Sequence, residues 1–193
     1  MKRTVFTTPI VKNVLRLFSV VVMKMLGWKI DGVLPPNGSK SVLIAAPHTS
    51  NWDFPYTLMT AFVLGLNIRW MGKSSLFTFP FGATMKWLGG VSVDRSQSNN
   101  LVAQAAQSLR ESIEPMQLVV PPEGTRSKAR YWKTGFYYIA HSAQVPIVMA
   151  YMDYPRKRAG LGPVLLPTGD IEQDMVTIKA FYAQFQGKNI DQF

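Results

Sequence analysis

The sequence predicts an α/β fold: a mostly parallel central sheet flanked by helices, preceded by a basic amphipathic N-terminal helix. Three observations predict it. Short apolar runs such as Val42-Leu43-Ile44 and Met116 to Val120 recur, each long enough for a buried strand. Stretches of helical period separate them, so strands alternate with helices, the pattern of a parallel sheet. Finally, Ile10, Val11, Val14, Leu15, Leu17, Phe18, Val21, Val22, Met25 and Leu26 recur near helical spacing, interrupted by Lys12, Arg16, Lys24 and Lys29.

In chain order, the first element is this segment, Pro9 to Ile30. No acid precedes Asp31. Its cations interrupt the apolar run of a would-be signal peptide, and no small-residue cleavage site follows. An interfacial helix fits it better, with apolar side chains in lipid and Lys and Arg at the headgroups; the competing reading is an ordinary helix packed on the domain. Asp31 to Lys40, with Pro35-Pro36 and Asn37-Gly38, reads as a turn-rich link. Ser41 to Ala46 is a strand, and Tyr56 to Leu64 a helix with Pro55 in its first turn. Ile68 to Met71 is a short strand, and Lys73 to Leu88 is expected to run to a stop at Gly89-Gly90. Val91 to Val93 alternates as a strand, and Asn99 to Ile113 carries Leu101, Val102, Ala105 and Leu109 on one helical face. Phe136 to Ser142 reads as a helix, Val145 to Met152 as a strand, and Ile171 to Phe185 as a closing helix.

Composition narrows the chemistry. A chain of 193 residues is long enough for one domain with a real core. Without cysteine, neither disulfides nor thiolate zinc sites can hold it, and two histidines are too few for a His-rich metal site. A net charge of +10 calls for an anionic partner. The basic residues are scattered and several interrupt apolar runs, which favours anionic lipid or a phosphate-bearing substrate over nucleic acid. Apolar residues reach 47% and mean hydropathy is +0.05, yet no stretch is long enough to span a bilayer.

Ligands of parallel sheets bind beyond the carboxyl ends of the strands, and three polar clusters fall there. His48 follows a strand and Asp53 begins a helix, with one turn between them. A carboxylate on one imidazole nitrogen fixes the tautomer, freeing the other nitrogen to take a proton. The plainer alternative is a capping Asp beside an unrelated surface His. Asp94-Arg95 ends another strand; Arg95 is an anion-binding candidate or simply a surface partner of Asp94. The third cluster is Glu123-Gly124-Thr125-Arg126-Ser127. Gly124 allows close backbone approach, and Arg126 offers a two-donor fork for phosphate. Glu123 is suited to hold a basic side chain or a substrate hydroxyl, unless the whole turn is only a polar loop with a salt bridge. There is no G-x-S-x-G elbow, Walker loop, G-x-G-x-x-G or H-E-x-x-H. His141 lies on an expected helix and is assigned no chemistry.

Four blocks in order, His48 to Asp53, Gly90 to Arg95, Pro122 to Ser127 and the Val145-Pro146-Ile147 strand, resemble the glycerolipid acyltransferases, among them the 1-acylglycerol-3-phosphate acyltransferases. Leu76 to Gly82 is similar to the family's segment between the first two blocks. Two positions depart from the pattern: Pro47 stands where the family often has Asn, and Pro121-Pro122 where it often has Phe-Pro. These departures bear on the acceptor rather than the reaction. The resemblance implies acyl transfer from an acyl-CoA or acyl carrier protein thioester to a lysophospholipid hydroxyl. His48 acts as base, Asp53 orients it, and Arg95, Glu123, Gly124, Thr125 and Arg126 cradle the acceptor. It implies no cofactor and no metal, the acyl thioester being a co-substrate. A transacylase, an acyltransferase for an aminolipid or glycolipid, and a non-catalytic lipid-binding protein remain alternatives. Residues 1–30 are then expected to form a membrane-interfacial segment and 31–193 the acyltransferase domain, peripheral on an anionic, cytoplasmic membrane face.

Overall fold

The computed structural model describes residues 3–93 and 98–193. Seven strands form one sheet in the order β1-β7-β6-β2-β5-β3-β4. They are β1 (Lys29–Asp31), β2 (Lys40–Ala46), β3 (Ile68–Lys73), β4 (Gly90–Val93), β5 (Met116–Val120), β6 (Ile147–Asp153) and β7 (Arg158–Leu165). From β6 to β4 every pairing is parallel; β7 runs antiparallel to β6, and β1 follows β7. The helices are α1 (Pro9–Met25), α2 (Asp53–Leu64), α3 (Gly82–Trp87), α4 (Ser98–Glu111), α5 (Gly135–Ala143) and α6 (Ile171–Tyr182). The expected mostly parallel sheet with flanking helices is the observed architecture.

β2 is central because it can be buried on both faces. Leu43 joins Val5, Phe6, Phe62, Ile68, Val148 and Leu161 on one side of the sheet. Val42 and Ile44 join Leu109, Tyr137, Ile139, Met149, Ile178 and Tyr182 on the other. This is the period-two alternation of a strand read from both sides. The Tyr182 hydroxyl is satisfied inside the second core by the carbonyls of Ile44 and Ala150, at 2.8 and 2.9 Å.

Three differences from the sequence reading have physical causes. The stretch 73–88 is not one helix: a 3-10 turn over Ser74–Phe77 and a bend at Thr78 precede the short α3. Gly82 closes that bend, since a Cβ there would overlap the carbonyl of Phe77. Lys29–Asp31 leaves the helix and pairs with β7, a strand the apolar pattern did not mark because Gly160 and Gly162 interrupt it. Gly160 permits the pairing, as a Cβ there would overlap Asp31's carbonyl oxygen. The boundary expected after residue 30 thus falls inside a strand, and Val5, Phe6, Met23 and Trp28 all belong to the buried core.

α1 lies against α2. It buries Ser19 and Met23 and leaves Ile10, Val14, Leu17, Phe18, Val21 and Met25 in water, a stripe at helical spacing. Among the described residues, no helix is long and apolar enough to cross a membrane.

Candidate active site

The parallel register brings three loops to one place. β5 ends at Val120, level with Ile44, so the chain after it runs alongside residues 45–48. β6 sets Tyr151 level with Ala46, so Tyr154 emerges on the other side of the same turn. His48, between them, is held from both flanks.

Asp53 is the hub. Its Oδ2 accepts from His48 Nδ1 at 3.1 Å, from the Thr49 amide at 2.8 Å and from the Ser50 amide at 2.9 Å. Its Oδ1 accepts from the Tyr154 hydroxyl at 2.6 Å. Burial disfavours the charge, but the bonds from His48, Tyr154 and Ser50 outweigh it and hold the carboxyl below its usual 3.8. An ionised carboxylate can only accept, so Nδ1 carries the proton and Nε2 is left as the basic nitrogen. The His48 side chain is 22% exposed, against 6% for Asp53; the imidazole is reachable and its partner is not.

Glu123 is 4% exposed, and its Oε1 accepts from the His48 amide at 3.1 Å. Its Oε2 is buried with no hydrogen-bond partner, and burial pushes its pKa up. Glu123 thus braces the backbone of His48. The far side of the turn is braced by the C-terminal segment. The Asn189 side chain donates to the Thr49 carbonyl at 2.7 Å, and its amide to Thr49 Oγ1 at 3.2 Å. Lys188 Nζ sits 5.0 Å above the Trp52 ring.

A cavity of about 60 Å³ opens at His48 and Asp53 and runs between the sheet and α2, lined by Ala45, Thr57, Ala61, Leu66, Ile68 and Met152 among others. It is overwhelmingly apolar below the histidine. No group of three or more His, Asp or Glu side chains suited to a metal is present among the described residues.

The acyltransferase family model matches residues 29–153, more than half of the chain. The chain belongs to the acyltransferase family. Among solved structures, this acyltransferase is similar to the 1-acyl-sn-glycerophosphate acyltransferase PlsC from Thermotoga maritima. The two share 19% identity over 89% of this chain and 76% of that one, with a TM-score of 0.62, and so share a fold. No curated protein matches the chain.

Of the acyltransferase residues expected from sequence, His48, Asp53 and Glu123 come together. Gly124, Thr125 and Arg126 follow Glu123 in the same loop, and the side chains of Thr125 and Arg126 are exposed. Gly124 has φ +66°, and Lys133 packs where its Cβ would stand. Arg95 lies outside the described residues. Sequence reasoning missed Tyr154. The one signal for it was its place just after the strand over Val145 to Met152, at the sheet edge where the other clusters fall.

Tyr154 is packed edge-on against Trp28 and Tyr56, at 5.2 and 5.9 Å between ring centres, and its hydroxyl pKa is raised by burial and by Asp53. Three donors on Asp53 survive its loss. Tyr154→Phe is therefore expected to lower kcat about threefold to tenfold, the worth of one hydrogen bond, with acceptor KM unmoved. An unchanged kcat, measured at equal folded protein, would limit Tyr154 to packing.

Glu123 makes a separate prediction about stability. Its raised pKa means that the folded form binds the proton more tightly, so its charge costs stability as pH rises from its usual 4.5. Glu123→Gln keeps an acceptor for the His48 amide and removes the buried charge. At neutral pH it should melt at or above the parent's Tm, whereas Glu123→Ala strands the amide and loses about 1–3 kcal/mol. Equal destabilisation of both variants, measured by thermal melts, would show that the charge itself is needed.

Proposed function

We propose that the protein moves a fatty acyl group from an acyl-CoA or acyl carrier protein thioester to a hydroxyl of a lysophospholipid such as 1-acylglycerol-3-phosphate. One observation carries the reading: an oriented His48–Asp53 pair stands at the mouth of an apolar cavity. His48 Nε2 takes the acceptor's hydroxyl proton, and the oxygen attacks the thioester carbonyl. The C–S bond breaks, and the imidazolium returns its proton to the leaving thiolate. The products are an ester and a free thiol, with no covalent acyl-enzyme and no cofactor. The cavity below His48 takes the proximal part of an acyl chain. Arg126, with Arg95, binds the acceptor's anionic end. The exposed stripe of α1, edged by Arg16 and Lys24, lies in the headgroup region of an anionic, cytoplasmic membrane face.

The test is thiol release. Purified protein is mixed with acyl-CoA or acyl carrier protein thioester and a panel of lysophospholipids, lyso-aminolipids and glycolipids. Release that depends on a lysophospholipid is expected. Release without any acceptor would make the protein a thioesterase, and none at all would leave it a lipid-binding protein.

A further inference from the structure

The loop between β3 and α3 holds apolar side chains in water. Phe79 is 97% exposed, Phe81 67% and Leu76 48%. The loop is nevertheless held: the Gly82 amide donates to the Thr78 carbonyl at 2.8 Å, and Thr78 Oγ1 to Ser75 at 2.9 Å. Phe77 turns inward and stacks on Trp70 at 5.8 Å, and Trp70 meets Phe54, the residue after Asp53, at 4.7 Å. The loop is therefore fastened beside the active site, on the carboxyl edge of the sheet. Exposed apolar groups displayed on a fixed loop mark an interaction surface.

Its charge identifies the partner. The chain from Phe54 to Val93 contains no acid, while Lys73 and Lys86 flank the loop and are exposed. α1 reaches the same edge, where Trp28 packs on Tyr154 and Met25 is 81% exposed. Aromatic rings between lysines, beside a site with an apolar cavity, fit an anionic bilayer.

We propose that the Leu76–Phe81 loop inserts into the headgroup region of an anionic membrane, so that the bilayer meets the protein at the mouth of the His48 site. The proposal rests on the lipid reading above for its partner, but its test requires no turnover.

The chain has no cysteine, so Phe79→Cys and Val176→Cys each accept one environment-sensitive fluorophore. Val176 is 63% exposed on α6, which packs on the face of the sheet opposite α1. With phosphatidylglycerol-containing vesicles, the probe at 79 should shift to the blue and the probe at 176 should not. Phe79→Ser with Phe81→Ser should weaken vesicle sedimentation by about tenfold or more. An unshifted probe at 79, sedimentation equal to the parent's, or no vesicle binding by the parent would overturn the proposal. So would a shift that appears without vesicles and grows with protein concentration, which would mark a contact between copies of the chain. Absence of thiol release, with the shift intact, would overturn the acyltransferase reaction and leave the docking surface standing.

Discussion

His48→Ala is expected to lower acyl transfer by roughly 10²–10⁴-fold, the usual worth of a general base, without unfolding the protein. The ring is partly exposed, and the amides of Thr49 and Ser50 still hold Asp53 when it is gone. Thiol release at equal folded protein, checked by circular dichroism, measures the loss. Asp53→Asn should lose less, because the imidazole remains but its tautomer is no longer fixed. This variant also has a signature in stability. The folded Asp53 carboxyl ionises below its usual 3.8, so its contribution is present above that pH and is lost as pH falls through the folded value. The stability gap between parent and variant should therefore close below about pH 3.8. Activity of His48→Ala within a few-fold of the parent would remove His48 from the mechanism.

Arg126→Ala is expected to raise the acceptor KM by about tenfold or more while the donor KM stays put. Loss of a charge-assisted hydrogen bond costs about 1.5–3 kcal/mol. Arg126 is exposed in the loop that begins with Glu123, free to meet a substrate arriving at the carboxyl edge. Arg126→Lys should recover only part of the loss, since it keeps the charge but not the fork. Steady-state kinetics with each substrate varied in turn decides the matter. A shift confined to the donor constant would reassign Arg126 to the phosphates of the acyl donor.

The His48–Asp53 pair was legible in the sequence because one strand end and one helix start, a single turn apart, leave two side chains little choice but to meet. The alternation of strands and helices was legible for a similar local reason: apolar period follows which faces are buried. Glu123 was visible as part of a motif, yet its bond to the His48 amide depends on Val120 standing level with Ile44, which neither segment encodes alone. Tyr154 lies 101 residues from Asp53, and only the placing of β6 against β2 unites them. β1 forms as a partner of β7, and β7 as a partner of β6, the first too short and the second too broken by glycine to declare itself. In α1 the sequence specified an apolar and basic helix; packing against α2 chose which apolar residues turned inward and which stripe was left for a surface. Spacing along the chain is carried by covalent geometry, so the sequence by itself determined the His48–Asp53 pair and the class of fold. Contacts across strands are carried by register, which the packing of the whole sheet decides, and there only the tertiary structure could place Glu123, Tyr154 and the exposed loop around the same histidine.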